Sequence, residues 1–376
     1  MKIALLTDSD VFAGTERHIH DLAIGLRDTG HSVLVACPEP SALGDRMRSL
    51  GIEHVTLQKG KMWDKPAIAV LCELLQSGRA DILHAHNGRT ALSAVLAIRR
   101  AGIGRCVATQ HFISPNRDRL TGVKKLVIGR VHRWVNNRID RHIAISQAVE
   151  RAMISRGDVS VERISVVLNG IVDPVLEVGR SREEVRNELG IPADQPMIAC
   201  AARLEPEKGI DQLIDAMQIV GKSHPQACCV IAGDGSLRDQ LQAKIDRNKL
   251  QHNIRLLGFR SDVLSIVRAA DLLVLPAAAE PFGLVVVEAM ALARPVVAVN
   301  AGGPAEIVLH ERTGLLIQPD NGDAMATLMA AAMVRLLNNA QERNMMSANG
   351  RRRFETDFTV HRMARDMAAV YERAML

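Results

Sequence analysis

The sequence predicts an α/β protein made of two parallel-sheet domains in tandem. Short apolar runs that end in small or polar residues alternate with helix-length amphipathic stretches, which is typical of βαβ units. The chain of 376 residues is long enough for two domains that each bury a core. A turn dipeptide, Asn169-Gly170, separates two such sets of elements. We therefore expect a first domain over 1–170, a second over 171–355 and a terminal helix over 356–376.

The first half fits one doubly wound, Rossmann-like domain. Residues 2–7 form a buried-strand pattern, and residues 15–29 place Ile19, Leu22 and Leu26 on one face of a helix that ends at Gly30. Further strands are predicted at 32–36, 82–85, 106–109 and 142–145. The sequence therefore predicts at least five parallel strands before the turn at Asn169-Gly170.

The second half repeats the pattern. Its predicted strands lie at 197–201, 227–232, 254–257, 272–275 and 295–299, and the stretch 354–376 is predicted as a final helix. Open parallel sheets bind ligands in the crevice at the carboxyl ends of their strands. The residues that follow each predicted strand are therefore the first candidates for a functional site.

Composition excludes several classes of function. The chain has two Trp, one Tyr and six Phe, too few for the stacking surfaces of single-strand nucleic acid binders, so no nucleic acid partner is expected. Six scattered Cys lack metal-ligand spacing and indicate reduced core residues. The apolar run at the start reaches Asp8 too early for a signal peptide or a membrane span. We expect a cytoplasmic protein, with peripheral attachment to the inner face of a membrane as an alternative.

Two glutamates mark the strongest motif. Glu280 precedes a proline, which favours a loop conformation, and Glu288 lies in a helical pattern that follows. The amides of Phe282, Gly283 and Leu284 are expected to open that helix, and a helix N-terminus is a natural site for a diphosphate. The alternative is a solvated glutamate at each end of a buried helix.

A cationic loop follows the predicted strand at 197–201. Arg203 can grip a diphosphate with two hydrogen bonds, and Lys208 adds a compact positive charge before Gly209. The alternative is that both cations pair on the surface with Glu205 and Glu207. Together, the cations and the helix N-terminus predict a site for an anionic group.

Three more loops carry glycines directly after predicted strands. They are Gly233-Asp234-Gly235, Gly258-Phe259-Arg260 and Gly302-Gly303-Pro304. Glycine lets a backbone approach a ligand closely, but glycine turns after strands are common, so each loop could equally be only a turn.

Through these motifs, the chain resembles the large family of retaining glycosyltransferases of the GT-B architecture, usually called family 4. The resemblance implies two Rossmann-like domains with a donor and acceptor cleft between them, and a last helix that crosses back to the N-terminal domain. It implies a sugar donor that is a nucleotide diphosphate sugar, no metal cofactor, and a hydroxyl acceptor that is a glycan, a lipid-linked sugar or a small molecule.

The resemblance also implies roles for individual residues. Arg203 and Lys208 would bind the donor diphosphate, Glu280 the donor sugar and Glu288 the ribose. Backbone amides around Phe282, Gly283, Leu284 and Val285 would complete the donor site, with Gly233 close to the nucleotide and base contacts near Gly258, Phe259 and Arg260. The family is thought to form and break bonds on one face of the sugar, so the protein chiefly positions ligands and stabilises the leaving phosphate.

The N-terminal half contributes two further candidates. Gly14, in Ala13-Gly14-Thr15-Glu16, resembles the family's glycine-rich first loop, although Thr15 replaces the usual second glycine. His111, just beyond a predicted strand, matches a histidine that lines the active site near the reacting sugar, and a surface histidine is the alternative. His84-Ala85-His86 could suggest a metal, but two histidines on opposite strand faces without a nearby partner make a metal site improbable.

Charge is uneven along the chain. Residues 1–170 have 24 basic and 16 acidic side chains (+8), whereas residues 171–376 have 23 and 26 (−3). Within 117–138 a basic amphipathic helix is predicted, which could contact an anionic membrane and collect a lipid-linked acceptor. The preferred interpretation is a helix that packs its apolar side on the sheet.

A non-catalytic nucleotide-sugar binding protein and a nucleotide-sugar epimerase are the alternative functions, although an epimerase would show G-x-G-x-x-G after its first strand.

Overall fold

A computed structural model describes residues 1–58, 65–113, 122–157, 159–319 and 323–376, with residues 122–126 and 323 described by their backbone alone. The chain divides into two compact units. The N-unit comprises Met1–Val172 and Phe358–Leu376, and the C-unit comprises Asp173–Asp357. The sequence placed the corresponding boundaries after residues 170 and 355. No helix of the described ranges is long and apolar enough to cross a membrane.

In the N-unit, the described residues form a parallel sheet of seven strands in the order β3-β2-β1-β4-β5-β6-β7. The strands are β1 Lys2–Leu6, β2 Ser32–Cys37, β3 Glu53–Thr56, β4 Ile82–Ala85, β5 Arg105–Gln110, β6 Arg141–Ala144 and β7 Ile164–Val166. The helices are α1 Gly14–Asp28, α2 Ala42–Ser49, α3 Lys65–Gln76, α4 Gly88–Ala101, α5 Gly122–Asn136 and α6 Gln147–Ser155. Apolar side chains on both faces of this sheet are buried beneath the helices.

The C-unit has a six-stranded sheet in the order β10-β9-β8-β11-β12-β13, again parallel throughout the described residues. Its strands are β8 Met197–Ala201, β9 Cys228–Ala232, β10 Ile254–Gly258, β11 Leu272–Leu275, β12 Val296–Val299 and β13 Gly314–Ile317. Its helices are α7 Arg182–Glu188, α8 Ile210–Ser223, α9 Arg238–Arg247, α10 Val263–Ala269, α11 Leu284–Ala291, α12 Pro304–Ile307, α13 Asp323–Asn338 and α14 Ala340–Asp357. The predicted α/β class with two parallel sheets is confirmed.

The three strands that the sequence did not reveal are β3, β7 and β13. All three lie at an edge of their sheet. None of the residues of β3 and β7 is fully buried. An edge strand packs on fewer neighbours, so β3 and β7 do not need the continuous apolar run by which a central strand is recognised. β13 is instead a short apolar run that is mostly buried.

The predicted single helix over 354–376 is wrong in one respect, because it is two helices. α14 ends at Asp357 and α15 spans Val360–Met375. Between them, the Phe358 carbonyl accepts a hydrogen bond from the Ile171 amide, and the Val360 amide donates to the Ile171 carbonyl, both at 3.0 Å. The Thr359 side chain caps α15 by accepting from the Arg362 amide. These bonds to a neighbouring segment interrupt the helical pattern and start α15 as part of the N-unit.

Helix α15 packs closely on α1, and Gly25 is the reason that it can. A Cβ atom at position 25 would lie 2.8 Å from the Val360 carbonyl oxygen and 2.9 Å from the Ala364 Cβ. Real side chains do not approach so closely, so any larger residue would push the two helices apart.

We therefore predict that Gly25→Ala lowers the free energy of unfolding of the N-unit by about 1–3 kcal/mol, the usual cost of overpacking. Gly221→Ala is the matched control, since Gly221 also lies within a helix but a Cβ there meets nothing within 4 Å. The control should be neutral or stabilising by up to about 1 kcal/mol. Urea unfolding of both variants checks this, and a Gly25→Ala protein as stable as the wild type would contradict it.

Candidate active site

Strands β8 and β11 lie side by side in the C-unit, and the chain leaves them toward opposite edges of the sheet. This is the topological switch point, where open parallel sheets form a ligand crevice. The loop with Arg203 and Lys208 follows β8, and the loop with Glu280 follows β11. The two strongest sequence motifs therefore meet at the switch point.

An ion pair joins these two loops. Lys208 Nζ donates to Glu280 Oε2 at 2.7 Å, and the two side chains are only 15% and 16% exposed. Arg203 behaves differently, because its side chain is 64% exposed and pairs with Glu207 at 2.9 Å on the surface. The surface pairing that the sequence allowed is thus observed for Arg203, whereas Lys208 turns inward to the carboxylate across the crevice.

The Gly-Asp-Gly loop after β9 packs on the backbone of the Arg203 loop. A Cβ at Gly233 would lie 1.9 Å from the Ala202 carbonyl oxygen, and one at Gly235 would lie 2.5 Å from that of Leu204. The Leu204 amide also donates to the Asp234 carbonyl at 3.0 Å. In the structure these glycines therefore support the loop that carries Arg203, and direct approach of Gly233 to a nucleotide stays a prediction.

A second pair of glycines supports Glu280 in the same way. A Cβ at Gly302 would lie 2.2 Å from the Glu280 carbonyl oxygen, and one at Gly303 would lie 2.3 Å from the Cα of Phe282. The Gly303 amide donates to the Glu280 carbonyl at 2.9 Å. The loop after β12 is thus more than a turn, since it fixes the backbone of the Glu280 segment.

Helix α11 begins where the sequence predicted. Gly283 is its N-cap residue, with a φ of 97° that favours glycine, and Leu284 and Val285 form its first turn. Phe282 is buried beneath this turn. Glu288 lies within the helix and is half-buried. The first residues of α11 therefore adjoin Glu280, whose Cγ is 3.4 Å from the Cβ position of Gly283.

The loop after β10 contains an exposed aromatic ring, Phe259, and an arginine, Arg260, that is already ion-paired. Phe259 is 78% exposed. Arg260 donates to Glu188 and Asp262, each at 2.7 Å. Hydrogen bonds from Arg260 and then Arg180 lower the pKa of Glu188 to about 2. Gly258 accepts a hydrogen bond from the Gly233 amide, so this loop joins the others at the same sheet edge. Base contacts by these residues stay a prediction, and Arg260 would have to leave its carboxylates to make one.

In the N-unit, Gly14 is the first residue of α1 and is exposed at the end of the loop after β1. Glu16 ties this loop down. Its buried carboxylate accepts hydrogen bonds from the Ala13 amide at 3.1 Å and from the Thr7 hydroxyl at 3.3 Å. The loop geometry is therefore set by a carboxylate at the helix N-terminus, where the helix dipole favours negative charge.

Four histidines cluster behind this loop, and all are buried. His84 and His86 come from the end of β4, His111 follows β5, and His18 comes from α1. His86 Nδ1 and His111 Nε2 are hydrogen-bonded at 3.1 Å, and the His84 and His86 ring centroids are 4.2 Å apart. Burial is the main cause that lowers the pKa of each ring, to about 4 for His18 and well below the usual value for the others.

The alternative of a surface histidine does not hold for His111, since it is buried against His86 and His18. The expectation that His84 and His86 lie on opposite faces is wrong, because residues two apart on a strand share a face and the two ring centroids are 4.2 Å apart. The expectation that they have no nearby partner for a metal is also wrong, because His18 and His111 lie close to His86. Part of the signal was available in the sequence, because His86 and His111 follow two consecutive predicted strands, and the carboxyl ends of parallel neighbours lie at one sheet edge.

A cavity of about 280 Å³ opens beside His86 and His111 within the N-unit. Its lining mixes small apolar side chains with amides, two more histidines and one arginine. Besides His86 and His111, the polar lining residues are Asn87, Thr109, Gln110, His132, Asn136, His142 and Arg156, and the apolar ones include Ala91, Ile139, Met153 and Val159. This cavity could not be predicted from the sequence, because its lining is shared among β4, β5, α4, α5 and α6.

The predicted basic helix is α5, but residues 117–121 and the side chains of 122–126 lie outside the described residues. In the described part, Val131 and Trp134 pack against the apolar core and Val135 is buried. Val127 is exposed. This packing agrees with the preferred interpretation of a helix lying on the sheet, and membrane contact stays a prediction.

Two family models match the chain. "Glycosyltransferase Family 4" matches residues 12–173, and "Glycosyl transferases group 1" matches residues 181–353. The matches thus follow one another along the N-unit and the C-unit. They favour neither the binding protein nor the epimerase that the sequence left open.

Individual relatives agree with the family models. The chain is 27% identical to an uncharacterized glycosyltransferase of Methanocaldococcus jannaschii over 100% of this chain and 99% of that protein. It is 25% identical to the Escherichia coli UDP-Gal:alpha-D-GlcNAc-diphosphoundecaprenol alpha-1,3-galactosyltransferase over 86% of this chain and 83% of that protein. Among solved structures, Anabaena HepE in complex with UDP-glucose superposes with a TM-score of 0.82 at 26% identity, covering 99% of both chains.

The histidines of the N-unit predict a specific sensitivity to acid. Burial lowers the pKa of His142 from 6.5 to about 4, partly opposed by a hydrogen bond to the Asn136 carbonyl. The unfolded chain therefore binds a proton below pH 6.5 that the folded protein does not take up until about pH 4. The stability contributed by the neutral ring is complete above pH 6.5 and is lost as the pH falls to about 4, by about 3 kcal/mol in total.

We predict that the free energy of unfolding of His142→Leu falls less steeply than that of the wild type between pH 6.5 and pH 4.5. The difference in slope should correspond to about one proton fewer taken up on unfolding. Urea unfolding followed by tryptophan fluorescence measures this, because Trp134 packs against the apolar core of the N-unit. Equal slopes for the variant and the wild type would contradict the assignment.

Proposed function

We propose that this chain, which belongs to the GT-B glycosyltransferases of the group 1 and family 4 type, transfers a hexose from a nucleoside diphosphate donor to a hydroxyl acceptor with retention of configuration. The observation that carries the proposal is the Lys208 and Glu280 ion pair at the switch point of the C-unit, beside the N-terminus of α11. A cation, a carboxylate and helix amides are the three groups that a nucleotide sugar requires.

The donor binds in the C-unit. The diphosphate lies against the amides of α11. It replaces Glu280 as the ion-pair partner of Lys208, and Arg203 turns from the surface to bind the second phosphate. Glu280 then accepts hydrogen bonds from sugar hydroxyls, and Glu288 does so from the ribose. Phe259 offers an exposed ring for the base. Uracil is the base we favour, because HepE was solved with UDP-glucose and the Escherichia coli relative uses UDP-Gal.

The reaction needs no metal in this proposal. Two cations and a helix N-terminus answer the negative charge that develops on the leaving diphosphate. The bond between the sugar and the diphosphate breaks, and the departing phosphate oxygen takes the proton of the acceptor hydroxyl. The oxygen of that hydroxyl attacks the anomeric carbon from the face that the diphosphate leaves. Protein groups contribute by alignment and charge stabilisation, and no protein nucleophile is required.

The acceptor binds in the N-unit cavity beside His111. The mixture of apolar side chains and amides suits a sugar ring or another polyol, which presents alternating apolar and hydroxyl surfaces. Because burial keeps the His111 ring neutral, it offers one hydrogen-bond donor and one acceptor and does not bind as a cation. A glycan, a lipid-linked sugar and a small glycoside remain the acceptor classes.

We expect Lys208→Met and Arg203→Ala to lower kcat/KM by about 10²-fold or more, because each removes a charge that stabilises the leaving diphosphate. Lys244→Met is the matched control. Lys244 is also an ion-paired lysine of the C-unit, but it binds Asp211 and Asp215 on α8. Initial rates with UDP-sugars measure the effect, and near wild-type turnover of Lys208→Met would refute the assignment.

We also expect an α-linked product from a UDP-α-hexose, and a rate that excess EDTA does not lower. Proton NMR of the product formed on an octyl glycoside acceptor, chosen from a panel by turnover, gives the configuration of the new bond. A β-linked product would reject retention. Loss of activity in EDTA that Mg²⁺ restores would reject metal independence while leaving the stereochemistry untouched.

A further inference from the structure

Three imidazoles meet at one point inside the N-unit. His18 comes from α1, His86 follows β4 and His111 follows β5, and one nitrogen of each lies within 4.8 Å of the other two. The ring centroids of His18 lie 5.3 Å from His86 and 4.9 Å from His111. Side chains from three separate elements thus present nitrogen ligands to a shared space.

Several of these nitrogens have an unused hydrogen-bonding capacity. His86 Nε2 is buried without a partner among the described residues. Neither nitrogen of His18 makes a well-formed hydrogen bond there, although Asn169 lies close enough to raise the pKa of the ring. Burying an imidazole nitrogen without a partner costs free energy. A cluster of such atoms in one place indicates a ligand that bonds to them.

The chemistry of the cluster selects the ligand. All three rings are buried, and a neutral imidazole is the form that coordinates metals. Three imidazoles with one open position suit Zn²⁺ and neighbouring transition metals, and hard cations such as Mg²⁺ prefer oxygen. Tetrahedral Zn²⁺ with Zn–N bonds of about 2.0–2.1 Å needs its ligand nitrogens about 3.3 Å apart, so small ring movements suffice.

Neighbouring groups fit the same ligand. Metal-bound histidines usually hold their second nitrogen against an oxygen acceptor, which orients the ring. The Asn169 side-chain oxygen, buried and without a well-formed hydrogen bond, lies next to His18 in that role. The Asp21 carboxylate is close enough to act on His18 electrostatically, and it is itself held by Arg17 at 2.8 Å and by His20 at 2.7 Å.

We propose that His18, His86 and His111 form a binding site for a Zn²⁺-type transition-metal ion, and that the bound ion inhibits the enzyme reversibly. In the hydrogen bond between His86 and His111, one of the two rings accepts through a nitrogen lone pair. A metal ion that coordinates this lone pair takes the place of the hydrogen bond. His111 is then held away from the acceptor cavity that it lines. Inhibition rests on the proposed function, whereas metal binding does not.

Metal binding is tested on the full chain with the metal alone. Titration calorimetry should give one Zn²⁺ per chain, and Co²⁺ should give the visible absorption of a tetrahedral site. His18→Gln should abolish both signals, and Asn169→Ala should weaken Zn²⁺ binding by about 10- to 100-fold. His252→Gln, an exposed histidine of the C-unit, is the matched control and should bind as the wild type does. Circular dichroism verifies that each variant is folded.

The outcomes separate the alternatives. Absence of stoichiometric binding to the wild type would mean that the cluster holds only water, and would overturn the proposal. Equal binding by a folded His18→Gln protein would also overturn it. If Zn²⁺ binds but EDTA-reversible inhibition is absent in a transferase assay with measurable turnover, the inhibitory role is wrong. If no transferase activity is found at all, the failure lies with the proposed function, and the binding result stands by itself.

Discussion

The ion pair between Lys208 and Glu280 is the interaction on which the candidate donor site depends. It connects the loops after β8 and β11, which diverge from the switch point of the C-unit. Both side chains are largely buried, so solvent and salt screen their attraction less than they would screen a surface pair such as Arg203 and Glu207. A buried charge without its partner is costly, so each group holds the other in the crevice until a ligand supplies a substitute.

Glycines make this arrangement possible. Gly209, Gly233 and Gly302 each lie so close to a neighbouring carbonyl oxygen that a Cβ would approach within 2.6, 1.9 and 2.2 Å, respectively. All three also have positive φ values, at 68°, 146° and 60°. The loops at this sheet edge therefore support each other through backbone contacts, which leaves the charged side chains free to face the crevice. In the N-unit, the loop after β1 is held by hydrogen bonds to the buried carboxylate of Glu16.

Much of this architecture could be predicted from the sequence, because central parallel strands are long apolar runs. The strands at 82–85, 197–201 and 272–275 have the predicted bounds. Glu280 and Lys208 were recognisable since charged residues directly after such strands must lie at the ligand edge of a sheet. The break at Thr359 was not predictable, because it depends on hydrogen bonds to Ile171, which is remote in sequence.

The histidine cluster was only partly predictable. His86 and His111 follow neighbouring strands, but strand order decides that β4 and β5 are adjacent, and only the fold brings His18 from α1 between them. Tyr371 was similarly hidden, although its hydroxyl hydrogen-bonds His84 at 2.7 Å from the far end of the chain. The sequence predicted a helix over 354–376 but could not indicate which side chain Tyr371 would meet.

The central claim is that Lys208 recognises the diphosphate of the donor. It is tested most directly by the affinities of UDP and UMP for the wild type and for Lys208→Met, measured by calorimetry at one salt concentration. The wild type should prefer UDP to UMP, and the variant should lose most of this preference while still binding UMP. An equal UDP-to-UMP ratio in the two proteins would show that Lys208 does not contact the second phosphate, and would contradict the account.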